Sequence, residues 1–331
     1  MRSISRCLML GVTILAGIAV GGLPDAAAQQ AYPNKAITIV VPAAAGGPTD
    51  TVTRLVAESM SRTLGAQIII ENIGGAGGTL GITRAAKAPA DGYTLMLYHV
   101  GLSTSASLYD NLRYDTLNDF DAIGRITDVP MTVVGKSTLA PRNIAEWIAF
   151  VKERQQGVTY GHAGIGSASH LCELLLSSAL GIKLTTVSYR GTGPAMNDLL
   201  GGQIDTMCDQ TTNTTNQIKE GRIKGYAVTT STRISALRDL PTLDEAGLKG
   251  FEVSAWHALW APKGTPKEAI DKLTAALQTA LKDAKVIDRF AGLGTEPVEM
   301  AKATPAALKA QLEAEVAKWG KVIKAAGVKG E

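Results

Sequence analysis

Short apolar runs alternate with amphipathic stretches along most of the chain. Residues 36–41 (AITIVV) form a β-branched run closed by Pro42 and a glycine loop, the pattern of a buried strand. Residues 51–64 then repeat apolar positions at helical spacing, with Val52, Leu55, Val56, Ser59 and Met60 on one face. Residues 68–71 and 93–98 predict two further strands, separated by a glycine-rich loop at 74–78 and a short helix at 79–87. The alternation restarts with a helix at 141–152, a strand at 158–160, a loop at 161–169 and a helix at 170–180. Strands at 185–189 and 204–208 flank a helix at 193–201, and another strand follows at 223–229. After a loop-rich segment, residues 253–261 predict one more strand, and 267–284 and 305–325 two long amphipathic helices. Apolar strands alternating with such helices imply parallel sheets covered on both faces. Two strand–loop–helix units, VVPAAAGGPTD and TYGHAGIGSAS, open alike and suit two similar lobes, with the C-terminal region packing back on the first.

The N-terminus breaks this pattern. Arg2 and Arg6 precede an apolar stretch over residues 7–20, which leads through glycine and proline to Ala26, Ala27 and Ala28. A basic start, a short apolar run and an A-x-A site predict a secretory signal peptide cleaved after Ala28. The run is shorter than the ~18–20 apolar residues of a spanning helix. Cys7 opens the run instead of following it, which argues against a lipoprotein. A mature periplasmic chain is the expectation, long enough for two domains. Its formal charge falls from +3 to +2 when Arg2, Arg6 and Asp25 are removed. That near-neutral balance argues against nucleic acid or an anionic membrane as the main partner. Cys172 and Cys208 would remain and could pair in an oxidising compartment. Sequence leaves their geometry open. The cysteines and histidines show no zinc spacing, and no cofactor or metal is expected.

Candidate chemistry sits in the loops. In PAAAGGPTD (42–50), Gly46 and Gly47 allow a tight turn, and Thr49 or Asp50 can cap the following helix. Free amides at such a helix start bind anions; a plain capped loop is the other reading. GHAGIGSAS (161–169) repeats the arrangement, and Ser167, Ser169 and the loop amides could surround a carboxylate without an arginine. His170 follows, either as a helix-start residue or as a ligand contact. GGAGGTLG (74–81) has the wrong register for a dinucleotide fingerprint, since Gly75 and Gly77 place Leu80 at the last glycine position. It reads as a turn that brings backbone near a cleft. Tyr189-Arg190-Gly191-Thr192-Gly193-Pro194 forms a third candidate wall, and Asp209 could accept from a ligand or cap the TTNTTN segment. G-x-S-x-G and H-E-x-x-H are both absent, so no enzyme is expected. Aromatic residues make up only 5% of the chain, too few for the stacking platforms of a sugar receptor.

YPNKAITIVVPAAAGGPTD, IIIENIGGAGGTLG, ADGYTL, YGHAGIGSASHL, YRGTGPAMNDLLGGQID, LPTLDEAG and WAPKGTP together span nearly the whole mature chain. In order and spacing they resemble the substrate receptors of tripartite tricarboxylate transporters, the Bug proteins. The resemblance implies an α/β Venus flytrap of the periplasmic-binding-protein kind, two doubly wound lobes joined by a two-segment hinge. Lobe 1 would comprise residues 29–127 and 252–331, and lobe 2 residues 128–251. It implies that one carboxylate is held by the loops matching 42–50 and 160–170. Carried over by position, the contacts are Ala45, Gly47, Thr49 and Asp50 from one lobe and Gly164, Ser167, Ser169 and His170 from the other. Gly191 and Asp209 fall on the distal side, and His99 at a position that sets specificity. Ala43 stands where the family often has an aromatic residue, and Asp209-Gln210-Thr211-Thr212-Asn213 replaces an aspartate–asparagine pair. Both departures could make room for a longer or aromatic acid. The implied function is capture of a small carboxylate and its delivery to membrane permease subunits. Dicarboxylates, tricarboxylates, acidic amino acids and aromatic acids such as terephthalate are the candidate ligands. The same flytrap could serve a sensor that signals to a membrane kinase. A monomer is expected, since a flytrap must open.

Overall fold

The predicted strands and helices appear in their expected order, but the fold adds a long strand at 120–136 and helices at 101–108, 211–219 and 284–292, and its strands build two sheets that share one of them. The computed structural model describes residues 32–330, and the expected signal peptide at 1–28 lies outside them. The first half runs β1 (Ile37–Val41), α1 (Pro48–Leu64), β2 (Ile68–Asn72), α2 (Thr79–Ala86), β3 (Thr94–His99), α3 (Gly101–Leu108) and β4 (Phe120–Lys136). Then follow α4 (Ile144–Arg154), β5 (Thr159–His162), α5 (Ala168–Leu180), β6 (Thr185–Ser188), α6 (Thr192–Leu200), β7 (Thr206–Gln210), α7 (Thr211–Lys219) and β8 (Ile223–Val228). The chain closes with β9 (Ser254–Pro262), α8 (Lys267–Ala280), α9 (Ala284–Gly292) and α10 (Pro305–Ala326).

The strand order is β2-β1-β3-β9-β4-β7-β5-β6, with β8 paired to β4. β1 runs parallel to β2 and β3, and β5 parallel to β6 and β7. β9 and β4 run antiparallel to their neighbours. The sheets are therefore mixed, not purely parallel as the alternation implies. Of these two antiparallel strands, β4 runs through both sheets, and the other crossing is the segment that leads from β8 to β9. Phe120 to Pro130 of β4 pair with β9, and Met131 to Lys136 pair with β7 and β8. The second crossing is tied to the first by Thr229. Its N–H and hydroxyl donate to Met131 O and Val253 O, and its Oγ1 accepts from Met131 N.

Local sequence explains the long helices. α1 starts at Gly47 with Pro48 in its first turn and ends on left-handed Gly65. Val52, Val56 and Met60 are fully buried, on the face expected from sequence. They pack with Leu273, Leu277 and Phe290 from the C-terminal helices in one core. The other large core gathers Trp147, Tyr160, Leu171 and Leu176 of the second sheet's layers, together with Trp256, Trp260 and Trp319. Each such side chain contributes about 1.5–3 kcal/mol on burial. Trp256 and Trp319 both donate their indole N–H to Glu315. Cys172 of α5 and Cys208 of β7 form a buried disulfide, with Cα atoms 6.2 Å apart.

Candidate functional site

Four helices begin at one cavity between the lobes. α1 follows β1, α5 follows β5, α6 follows β6 and α7 follows β7, so each helix start lies at the C-terminal end of a strand. Open α/β sheets place their ligands there. Gly47, Ser167, Gly191 and Gln210 are the N-cap residues of these helices, and all four line the cavity. At Gly47, Gly191 and Gln210 no side chain caps the helix. The first N–H groups there are left without an intrahelical acceptor, and the positive dipole ends point at one volume. That volume is ≈ 40 Å³. On the same measure a water needs about 10–15 Å³, so a compact ligand fits.

Loop hydrogen bonds decide which donors stay free. Asp50 Oδ2 accepts from Gly46 N at 2.9 Å and from Arg54 Nε at 2.9 Å, which fixes the first loop. Burial would raise the Asp50 carboxyl, but hydrogen bonds from Arg54, Gly46 and Asn72 outweigh it and hold it below the ordinary value. His257 Nδ1 lies 2.9 Å from Ala255 O, which can only accept, so Nδ1 carries the proton. Nε2 is then the acceptor, and the Thr49 hydroxyl donates to it at 3.2 Å. Thr49 can therefore offer a ligand its backbone N–H and a hydroxyl lone pair, but no hydroxyl hydrogen. Ser167 Oγ accepts from His170 N and Ser169 Oγ from Ala163 N, and the two hydroxyls meet at 3.1 Å. One hydroxyl hydrogen serves the pair, leaving the other for the cavity.

The four histidines lie around this region and are neutral. Burial, together with His257, holds the His99 imidazole well below its usual value. Burial brings His162, His170 and His257 down to about 4. Nδ1 of His99, His162 and His170 accepts from Gly101, Gly164 and Gly166 N–H respectively. The proton of each neutral ring must then sit on Nε2, so His99 faces its surroundings as a neutral donor.

Of the expected site residues, Gly47, Thr49, Ser167, Ser169, Gly191 and His99 line the cavity together. Ala45 is exposed beside it. Asp50, Gly164, His170 and Asp209 are buried outside its wall and support it. His170 holds the 163–167 turn through Gly166 N, and Asp209 Oδ2 accepts from Asn213. Burial pushes the Asp209 carboxyl up to about 7 even with that amide beside it. Arg190, Gln210 and Tyr98 also line the cavity. None of the three is among the expected contacts, although Arg190 lies in the 189–194 segment singled out as a candidate wall and Gln210 lies two residues past the strand expected at 204–208. Gln210 is 3% exposed, and its Oε1 has no partner among the described residues.

The model of the tripartite tricarboxylate transporter family receptor matches residues 52–328. This chain belongs to that receptor family. It is 56% identical over 327 residues to the UPF0065 protein of the TAR-I ttuE-ttuC' intergenic region of Agrobacterium vitis, covering 99% of this chain and 92% of that one. Among solved structures, the periplasmic binding protein BugD is similar at 51% identity and TM-score 0.88, covering 91% of this chain and 100% of BugD. MatC from Rhodopseudomonas palustris, solved with bound malate, is similar at 39% identity and TM-score 0.84, covering 88% and 100%. The two-lobed periplasmic-binding-protein fold expected from sequence is thereby shown, as is a binding function in place of catalysis. Among the described residues, no helix is long and apolar enough to cross a membrane, and no cluster of three His, Cys, Asp or Glu could hold a metal.

Proposed function

We propose that this receptor captures a small carboxylate in the interlobe cavity and delivers it to the membrane subunits of a tripartite tricarboxylate-type transporter. The observation that carries the reading is the convergence of four helix N-termini, three of them without a capping side chain, on one cavity without a carboxylate in its wall. Such a site stabilises negative charge and supplies donors to both oxygens of a carboxylate. Thr49 N–H, the free Ser167/Ser169 hydroxyl hydrogen and the first amides of α5 are the proposed contacts, with Gly47, Gly191 and His99 completing the wall. Ala45, Asp50, Gly164, His170 and Asp209 act on the ligand through the loops they shape. The lobes we propose are residues 29–127 with 252–331, and residues 128–251, exported to the periplasm by the leader at 1–28. Because each lobe contributes helix starts, a ligand held by one recruits the other, and closure follows from contacts made only when both engage. The malate in the MatC structure supports a compact acid, as does the small cavity.

A thermal-shift screen of the purified protein against mono-, di- and tricarboxylates, acidic amino acids and terephthalate tests this, with sugars as controls. A true ligand at a hundredfold excess over its Kd adds about 2.7 kcal/mol of stability. A shift with one class of acid supports the reading. A cooperative melt that no carboxylate moves removes it.

A further inference from the structure

One charged residue lines the cavity, and the carboxylate-binding loops do not use it. Arg190 is exposed, lines the cavity, and has no hydrogen bond or ion pair with any described residue. Among the described residues it is the sole charged one in that wall, since His99 is neutral there and the other lining residues are uncharged. Its backbone is well placed. Tyr189 Oη donates to Asp198 at 2.7 Å and anchors the preceding residue. On the other side Gly191 presses on the opposite lobe so closely that a Cβ there would lie 2.7 Å from Ala44 Cβ. Arg190 therefore projects from the seam where the 189–193 segment meets the 42–50 loop.

Among the described residues, no acid pairs with it. Asp50 is taken by Arg54 and Gly46, Asp198 by Tyr189 and Asp209 by Asn213. An arginine in the wall of a set of anion-binding helix starts, with no protein partner, is able to present two parallel N–H donors to a second planar anion. We propose that Arg190 reads the ligand's second carboxylate and makes this cavity selective for short aliphatic dicarboxylates over monocarboxylates. This inference rests on the receptor reading above. The first carboxylate occupies the helix starts. The second reaches Arg190, and the buried Gln210 carboxamide in the same wall is left for a ligand hydroxyl or ammonium group.

Isothermal titration calorimetry of the full chain and of Arg190→Gln is the test. The probes are succinate, malate, glutarate and adipate, each against its monomethyl ester, which keeps length and removes one charge. The wild type should bind its preferred diacid at least about 10-fold tighter than the half-ester, the range of a charge-assisted pair. Arg190→Gln should weaken the diacid by about 10- to 100-fold and leave the half-ester within about 2-fold. Arg190→Lys should fall between, since it keeps the charge and loses the planar fork. The discrimination should also shrink at high ionic strength, because the side chain is exposed. Equal binding of diacid and half-ester by the wild type overturns the inference and leaves the receptor reading standing. Equal weakening of both by Arg190→Gln does the same, and a preference for monocarboxylates is a third overturning result. Binding of no carboxylate at all overturns the receptor reading and this inference with it.

Discussion

Gly77→Ala should act as a wedge that blocks closure while leaving the fold intact. Gly77 sits in the loop before α2 with φ 61° and ψ 19°, a left-handed conformation that costs an alanine about 1–2 kcal/mol. A Cβ there would lie 2.4 Å from the carbonyl oxygen of Ile165, which belongs to the opposite loop. Carbon and oxygen in van der Waals contact need about 3.2–3.5 Å. The loops must then part by roughly 1 Å. Two hydrogen bonds across the same seam, Tyr109 Oη to Ile165 O at 3.3 Å and Thr104 Oγ1 to Gly166 O at 3.0 Å, would be stretched or lost. Each is worth about 1 kcal/mol, so closure should lose about 2 kcal/mol beyond the local strain. That corresponds to about a 30-fold rise in Kd for a ligand that needs the closed form. Gly65→Ala is the matched control. Gly65 has φ 64° and ψ 22°, and nothing lies within 4 Å of its added Cβ. The Cβ at residue 77 also lies 2.7 Å from Tyr109 Oη, so Gly77→Ala should lose at least as much thermal stability as Gly65→Ala without ligand, and only Gly77→Ala should lose affinity by calorimetry. Equal affinities in the two variants would show that contact between the 77 and 165 loops plays no part in ligand capture.

Three further outcomes are expected. Ser167→Ala combined with Ser169→Ala removes the free hydroxyl donor and the Ser167 cap, and should weaken carboxylate binding by about 10-fold or more in titrations, with the circular dichroism spectrum unchanged. Cys172→Ser with Cys208→Ser opens a loop spanning 36 positions and should cost about 4 kcal/mol on the chain-entropy account, read as a lower denaturation midpoint; an unchanged midpoint would refute it. His162, His170 and His257 have native values near 4 against 6.5 for a free imidazole, so the unfolded chain takes up their protons first and stability must fall as pH drops from about 6.5 towards 4. Asp209, raised from 3.8 to about 7, and Glu173, raised by burial, act in the opposite direction, but two carboxyls oppose four lowered histidines, His99 among them. Melting temperature should therefore decline on acidification from about pH 7 to pH 5, and a rise would contradict the burial of these rings.

The helices and strands legible in the sequence were those whose burial follows a simple period. α1 and β1 read correctly because one helix face or one short run carries all their apolar residues. β4 was missed: its seventeen residues contain Gly124, Arg125, Asp128 and Pro130, and pairing shifts at two points along β9 break the alternation. Its register is set by partners distant in sequence, which no local pattern records. α7 was read as a loop because TTNTTN has poor helix propensity. Its Thr211 and Thr215 hydroxyls bond to Gly294 O and Leu293 O from the other lobe, contacts that exist only after folding. The expected helix at 267–284 ends at Ala280, and Asp283 caps α9 by accepting from Lys285 N. At the cavity, the glycine and serine loops announced themselves by composition. Arg190 and Gln210 did not, since a single polar residue at a strand end looks the same whether it faces solvent or a ligand.

The strand shared by both sheets also bears on how the molecule comes apart. Pro130 pairs in one sheet and Met131, the next residue, in the other, so no tether separates the lobes. Severing the chain between them would leave each half with a raw, hydrogen-bond-hungry margin, prone to stick to whatever strand it meets. Neither half is then a natural unit of inheritance or of engineering. Heat or denaturant should melt both in one concerted step, and grafting one half onto a relative should succeed only when the whole of β4 travels with its partners.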